Sequence, residues 1–213
     1  MSADRSRKQP EFARIKESLF KRSMQTVMFD ALDNVIARKP DRIAIYNDVN
    51  DLSDAVTFSE LKELSLAIAS FLHSKGMRTG ANAAILLPNC WQIVAIWLGA
   101  LFQGMSIVGV SPKFGKHGEI PFDQVIQTEV DRNRTFLPVD PENDTALILF
   151  SSGTTGQAKA ILHTHKSLVA VLVNTDANMP TLWEAAFTRK FNWIEENQIA
   201  LMSITQAMGL VLI

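Results

Sequence analysis

The sequence predicts an α/β protein in which helices pack in layers on a largely parallel β-sheet. Two observations support this fold class: apolar residues alternate between helical and strand spacing along the chain, and short apolar runs such as residues 83–87 and 145–150 read as buried strands. With 213 residues, of which 47% are hydrophobic and 20% charged, the chain is long enough to form one sizeable core.

The first elements follow from local spacing. Five apolar residues at helical intervals predict a helix that ends before Pro40. They are Met28, Phe29, Leu32, Val35 and Ile36. Residues 43–46 and 56–58 then read as short strands around a polar turn. Residues 1–25 precede these elements and are polar, so we expect them to be loosely ordered, with a partial domain over 26–213.

A second helix is predicted to begin with a capping box formed by Thr57 and Glu60. Gly76 would end it, and a strand follows at 83–87. The apolar side of this helix includes Leu61, Leu64, Ile68, Phe71 and Leu72.

The apolar stretch 93–110 allows two interpretations. Its length is near the minimum for a membrane span, and only Gln103 and Ser106 are clearly polar. We favour a helix to about Gln103, an end at Gly104 and a strand at 105–110, because the same residues are explained without a membrane.

Residues 151–159 carry the most specific chemistry in the chain. After the strand 145–150, two glycines, four hydroxyl residues and a lysine occur within a few positions: Ser151, Ser152, Gly153, Thr154, Thr155, Gly156 and Lys159. Glycines let successive amide groups point into one concavity, hydroxyls add donors, and lysine adds positive charge, which together suit phosphate oxygens. The spacing does not fit a Walker A loop, and residues 160–163 read as another strand. The alternative is a flexible surface turn rich in Ser, Thr and Gly.

At these residues the chain resembles the adenylate-forming superfamily, which includes acyl-CoA synthetases, 4-coumarate–CoA ligases and beetle luciferases. The family loop reads Ser-Ser-Gly-Thr-Thr-Gly-x-Pro-Lys-Gly, whereas this chain has Ala158 and Ala160 in place of proline and the last glycine. Further matches lie at 57–61, 76–89 and 161–165, and the resemblance covers roughly 29–213.

The resemblance implies a two-step reaction. A carboxylic acid, fatty or aryl, attacks the α-phosphate of ATP to give an acyl-adenylate, and the thiol of coenzyme A then displaces AMP to give a thioester. It implies that residues 151–156 cradle the β- and γ-phosphates, and that Lys159 neutralises their charge as the catalytic cation, with Mg²⁺ bridging phosphate oxygens. The expected partner is a small-molecule carboxylic acid.

The resemblance also breaks at two places. Residues 111–144 mix Gly, Pro and charge, and relatives carry a much longer segment here. Near the end, relatives have a histidine at the acyl pocket, where this chain has Gln206, three residues before Gly209. We therefore assign substrate binding to Gln206 and Gly209 as an expectation only.

Between these breaks, residues 167–173 and 183–191 read as helices and 199–202 as a strand. His163 and His165 have a spacing that can serve a metal, but no third ligand accompanies them, so packing or surface roles are favoured and no metal site is assigned.

Charge and cysteine content restrict the remaining possibilities. A net charge of −1 provides no excess of positive charge with which the chain would bind nucleic acid. The single cysteine, Cys90, lies at a predicted helix start. The helix dipole can lower the pKa of a thiol there, but we favour the interpretation that Cys90 is a small core residue. Without an apolar leader near the N-terminus, we expect an intracellular protein, cytoplasmic or peroxisomal, with a mitochondrial location possible.

The chain stops in an apolar run at 211–213, so we expect the domain to continue beyond it. Two functional hypotheses remain at this point. The first is an AMP-forming acyl-CoA ligase of fatty acid metabolism, seen as an N-terminal fragment. The second is a truncated, non-catalytic product that binds nucleotide weakly or associates with a full-length relative as a dominant-negative partner. On either hypothesis, we expect this chain alone to be inactive.

Overall fold

The computed structural model describes residues 18–48, 51–87, 90–110, 120–151 and 159–178. Its helices are α1 (Met24–Ile36), α2 (Phe58–Ser74), α3 (Trp91–Phe102), α4 (Phe122–Ile126) and α5 (His165–Asn178). Its strands are β1 (Ile43–Asp48), β2 (Asp51–Thr57), β3 (Asn82–Ile85), β4 (Ser106–Gly109), β5 (Thr145–Ser151) and β6 (Lys159–Thr164).

The strands form two sheets. β1 and β2 pair as an antiparallel hairpin, and the larger sheet has the order β3-β4-β5-β6. In the larger sheet β3, β4 and β5 are parallel, and only β6 runs in the opposite direction. The predicted α/β class with a largely parallel sheet is therefore confirmed.

The core lies between one face of the larger sheet and helices α1, α3 and α5. Trp97 and Leu101 of α3 pack with Ile107 of β4, Leu147 of β5 and Leu168 of α5, and all five are almost fully buried. A second cluster joins α1, α2, α3 and the β1–β2 hairpin. Helices α2 and α3 approach closely at Gly99, where an added Cβ would lie 2.7 Å from Ile68 Cγ2 and 2.7 Å from the Ser65 carbonyl oxygen.

Most of the first half agrees with the sequence predictions. The capping box is confirmed, because the Thr57 hydroxyl accepts from the Glu60 amide and the Glu60 carboxylate accepts from the Thr57 amide.

Several boundaries were wrong. Helix α1 begins at Met24, with Ser23 as its cap. Strand β2 begins at Asp51 rather than at residue 56, and Phe58 opens α2 rather than ending that strand. Strand β3 ends at Ile85 rather than at residue 87.

The apolar stretch 93–110 divides as predicted. Helix α3 ends at Phe102, Gly104 has a positive φ of 67°, and β4 follows. In the part of the chain that the structure describes, no helix is long and apolar enough to cross a membrane.

The irregular segment before β5 contains a short helix, α4, that the sequence analysis did not predict. The residues after it are held by long-range contacts. Arg134 donates to the buried Gln103 side chain and, at 3.2 Å, to the Ala69 carbonyl oxygen. Gln103 in turn donates to the Met77 carbonyl oxygen at 3.0 Å, and its amide lies 3.1 Å from His73 Nδ1.

Helix α5 is longer than predicted, since it begins directly after β6 at His165 rather than at Ser167. The predicted helix 183–191 and strand 199–202 lie outside the described residues.

Candidate functional site

Strands β5 and β6 form an antiparallel hairpin that brackets residues 152–158. Ser151 is paired with Lys159 across the two strands, Phe150 with Ala160, and Leu149 with Ile161. The prediction that the loop joins strand to strand is confirmed. The pairing of Ser151 with Lys159 places the two ends of the loop side by side, which is the geometry that a closed loop around an anion requires.

The loop leaves the sheet at the edge where parallel strands end. β3, β4 and β5 share one direction, so Ile85, Gly109 and Ser151 all lie toward the same edge of the sheet. The Val110 amide still donates to the Ile85 carbonyl oxygen at 3.0 Å there. In open α/β sheets, ligands bind outside the carboxyl ends of the strands. The loop 151–159 therefore occupies the position at which such sheets bind ligands.

Lys159 is the first residue of β6 and is exposed. Its backbone is fixed by the pairing with Ser151, so its cationic side chain starts from a rigid strand at the base of the loop. Of the other predicted phosphate-binding residues, Ser151 is placed by its backbone in β5. Ser152, Gly153, Thr154, Thr155 and Gly156 lie outside the described residues, as do Gln206 and Gly209, and their roles stay predictions.

The N-terminus of α3 lies near the same edge, because α3 follows β3, and helix N-termini can also bind anions. Here the β1–β2 hairpin provides its partners. The Trp91 amide donates to Asn47 Oδ1 at 2.8 Å, and the Trp91 indole N–H donates to Asp54 Oδ1 at 3.0 Å. An acidic side chain at this position disfavours a phosphate at the N-terminus of α3.

Sequence reasoning missed Asn47 and Asp54, and no local signal could have shown them. They lie 44 and 37 positions from Trp91 in the chain, and only the folding of the hairpin onto α3 brings them together.

Cys90 caps α3 and is half-buried. Burial raises the pKa of its thiol, and the nearby amides of Ile93 and Gln92 offset this only in part. The interpretation of Cys90 as a packed rather than a reactive cysteine agrees with this direction.

The opposite end of the hairpin is attached to a tight turn. The Lys166 amide donates to the Pro141 carbonyl oxygen at 2.7 Å, and the Lys166 ammonium pairs with Glu142 Oε1 at 2.5 Å. The His165 amide donates to the Asp144 carbonyl oxygen at 3.3 Å. These contacts fix the far end of β6 and support the register that aligns Ser151 with Lys159.

His165 itself is fully buried, and neither ring nitrogen has a hydrogen-bond partner among the described residues. Burial lowers the pKa of His165 to about 4, although the negative charge of Asp144 acts in the opposite direction. His163 is half-buried on β6. Across the described residues, no group of three or more His, Cys, Asp or Glu side chains is arranged to hold a metal ion.

Comparison with known proteins identifies the family to which this arrangement belongs. The model of the AMP-binding enzyme family matches residues 32–118 and 116–211. The chain belongs to the AMP-binding enzyme family. Its match is in two parts that meet at 116–118, within the segment 111–144 where the sequence departs from its relatives.

Relatives of this AMP-binding chain include acyl-CoA ligases. It is 22% identical to the long-chain-fatty-acid–CoA ligase of Bacillus subtilis, over 70% of this chain and 38% of the ligase. It is 26% identical to the 4-coumarate–CoA ligase of Pinus taeda, over 67% of this chain and 35% of that enzyme. The chain thus spans little more than a third of the length of these relatives.

Solved structures show the same fold. A long-chain-fatty-acid–CoA ligase from Archaeoglobus fulgidus matches with a TM-score of 0.61 at 19% identity, over 73% of this chain and 39% of that one. The O-succinylbenzoate–CoA synthetase of Bacillus subtilis, solved with AMP, matches with a TM-score of 0.57 at 22% identity, over 70% of this chain and 45% of that one.

Proposed function

We propose that this protein activates a carboxylic acid with ATP and transfers the acyl group to coenzyme A. In the first step a carboxylate oxygen bonds to the α-phosphorus, and the bond to the β-phosphate oxygen breaks to release pyrophosphate. In the second step the thiol sulfur bonds to the acyl carbon, AMP leaves, and the thiol proton passes to a base or to water.

The observation that carries this proposal is the hairpin that pairs Ser151 with Lys159 at the carboxyl edge of the parallel strands. Charge moves through the β- and γ-phosphates as pyrophosphate leaves, so donors and a cation held at that position stabilise the transition state more than the ground state.

The residues of the loop fit this task chemically. Lys159 supplies a compact positive charge, and the hydroxyls and glycine amides of residues 151–156 supply neutral donors. Mg²⁺ would be held by the phosphate oxygens and the loop hydroxyls and would neutralise charge on the leaving pyrophosphate.

The acceptor thiol is the finer part of the proposal. Two named relatives are CoA ligases, but others are peptide synthetases, such as the mycosubtilin synthase subunit of Bacillus subtilis, which is 25% identical over 68% of this chain. We assign coenzyme A because the two sequence relatives and the two solved structures described above are all CoA ligases or synthetases.

A second candidate is a non-catalytic nucleotide-binding role, including association with a full-length relative. It is favoured by Gln206, which stands where the resemblance places a histidine at the acyl pocket. Under this candidate the loop binds ATP but no carboxylate is activated.

The test compares two lysine variants of the full 213-residue chain. Lys159→Ala should weaken binding of Mg²⁺-ATP, measured by isothermal titration, by tenfold or more, whereas Lys39→Ala, at an exposed position between α1 and β1, should leave it unchanged. Equal binding by both variants would remove Lys159 from the site. Carboxylate-dependent exchange of labelled pyrophosphate into ATP, assayed on the protein as isolated from its natural source, then separates the candidates: exchange supports the ligase, and ATP binding without exchange supports the non-catalytic role.

A further inference from the structure

The side chain of Gln103 connects three separate segments of the chain at the end of α3. Gln103 follows Phe102, the last residue of α3, and is fully buried. Its carbonyl oxygen Oε1 accepts from the Arg134 guanidinium. Its amide nitrogen Nε2 donates to the Met77 carbonyl oxygen at 3.0 Å and lies 3.1 Å from Nδ1 of His73, in the last turn of α2. One buried amide group therefore joins α2, the turn after it and the segment before β5.

The partners of Gln103 fix which way its amide points. A guanidinium can only donate and a backbone carbonyl can only accept, so Oε1 must face Arg134 and Nε2 must face Met77. This leaves the second N–H of Nε2 for His73 Nδ1, which can accept it only when that ring nitrogen is unprotonated. The network thus requires a neutral His73 whose proton is on Nε2 of the ring.

Protonation of His73 is incompatible with this arrangement. An imidazolium carries a proton on both ring nitrogens, so its Nδ1–H would face an N–H of Gln103. Turning the Gln103 amide over would relieve that contact, but it would bring the amide oxygen against the Met77 carbonyl oxygen and the amide nitrogen against the Arg134 guanidinium. No orientation of this buried amide satisfies all three partners of Gln103 when His73 is charged, and a buried polar group without a partner costs stability.

The charged groups around His73 act mainly in the same direction. Burial is the largest cause that lowers the pKa of His73, and the guanidinium groups of Arg134, before β5, and Arg78, just after α2, lower it further. The Asp131 carboxylate opposes them, and α3 presents only the uncharged Gln103. The pKa of His73 therefore lies below its ordinary value of 6.5.

The same network holds the segment that leads to β5. Besides its bond to Gln103, Arg134 donates to the Ala69 carbonyl oxygen of α2 at 3.2 Å. The amide of Asp131 donates to Ser70 Oγ of α2, also at 3.2 Å. These bonds place the segment against the C-terminal half of α2, with the side chain of Gln103 between them and α3.

The segment also contacts the end of α3 directly, because the Leu137 amide donates to the carbonyl oxygen of Phe102, the residue before Gln103, at 3.3 Å. We propose that this network is a pH-sensitive latch: neutral His73 holds residues 131–137 against the ends of α2 and α3, and protonated His73 releases them. The latch is closed above pH 6.5 and opens as the pH falls through the lower pKa that His73 has in the closed state.

NMR of the ¹⁵N-labelled full chain tests the latch at its origin. The ring of His73, assigned by comparison with His73→Asn, should titrate below pH 6.5, and its neutral form should show Nδ1 as the unprotonated nitrogen. A pKa at or above 6.5, or a neutral form with the proton on Nδ1, would overturn the proposal.

Amide hydrogen exchange of the full chain measures the release itself. Between pH 7.5 and pH 5.0, the protection factors of the Asp131 and Leu137 amides should fall at least fivefold more than that of Leu98. The fully buried Leu98 in α3 reports unfolding of the whole chain, including any loss of stability caused by His165. His73→Asn provides a side-chain oxygen that can accept near the position of Nδ1 and cannot be protonated, so it should abolish the difference. An equal fall at all three amides of the parent chain, or a difference that persists in His73→Asn, would refute the latch.

Discussion

The buried His165 should make the stability of this chain depend on pH in a range where carboxylates do not titrate. Burial lowers the pKa of His165 to about 4, although the negative charge of Asp144 acts in the opposite direction. In the unfolded chain the histidine has its ordinary pKa of 6.5. The folded state therefore favours the neutral imidazole. Its contribution to stability is complete above the unfolded pKa and is lost as pH falls toward the folded pKa.

The magnitude follows from the two pKa values. With 6.5 for the unfolded state and about 4 for the folded state, the loss is about 2 kcal/mol between pH 7.5 and pH 5 and about 3 kcal/mol by pH 4. The hydrogen bonds that Asp140 accepts from Asn143 and Glu142 lower its pKa below the usual 3.8, so its contribution is lost only at more acid pH. A loss of stability between pH 7.5 and pH 5 therefore reports the protonation of histidines rather than of carboxylates.

Urea unfolding of the full chain at pH 7.5, 6.2 and 5.0 measures this loss. The free energy of unfolding should fall by about 2 kcal/mol over the interval in the parent chain and by clearly less in His165→Leu, which cannot be protonated. If the parent chain and His165→Leu lose equal stability between pH 7.5 and 5, the burial of a neutral His165 does not govern acid sensitivity.

Three further substitutions test the packing by urea unfolding at neutral pH. Thr57→Ala removes the capping box of α2 and should cost about 1 kcal/mol, and no change would mean that the cap contributes nothing. Gly99→Ala should cost about 2 kcal/mol or more, because its Cβ meets α2 at 2.7 Å, while Gly109→Ala, with nothing within 4 Å, should be nearly neutral. Equal costs for the two glycines would refute the close approach of α2 and α3. Gln103→Leu leaves the partly buried Arg134 without one acceptor and should cost about 2 kcal/mol, and a neutral result would show that this network is dispensable.

Local patterns predicted much of this fold because they depend on neighbours in the sequence. The capping box at Thr57, the end of α3 before Gly104 and the strand–loop–strand order at 145–164 each follow from residues a few positions apart. Boundaries set by distant contacts were missed. The α1 residue Gln25 is 3% exposed because its amide donates at 2.9 Å to the carbonyl oxygen of Leu137, 112 positions away.

In the candidate site, too, features set by neighbouring residues could be predicted, whereas features set by distant contacts could not. The strand–loop–strand order could be predicted from the sequence, and the pairing of Ser151 with Lys159 places the ends of the loop together. Phosphate binding by the loop stays a prediction. The partners of the α3 N-terminus could not be predicted, since Asn47 and Asp54 reach Trp91 only through the fold.

The residues between α4 and β5 help to set the direction of β5, which leads into the loop. Phe136 packs against Phe29 and Phe102 with ring centroids 5.3 and 4.8 Å apart, and the Leu137 amide donates to the Phe102 carbonyl oxygen at 3.3 Å. These contacts fix the chain to the end of α3 a few residues before β5 begins. Since β4 also starts just after α3, β4 and β5 leave from one anchored point, which accounts for their parallel register at Ile107 and Leu147. A connection that keeps this anchor keeps the direction of β5, and with it the position of the loop at the carboxyl edge of the sheet.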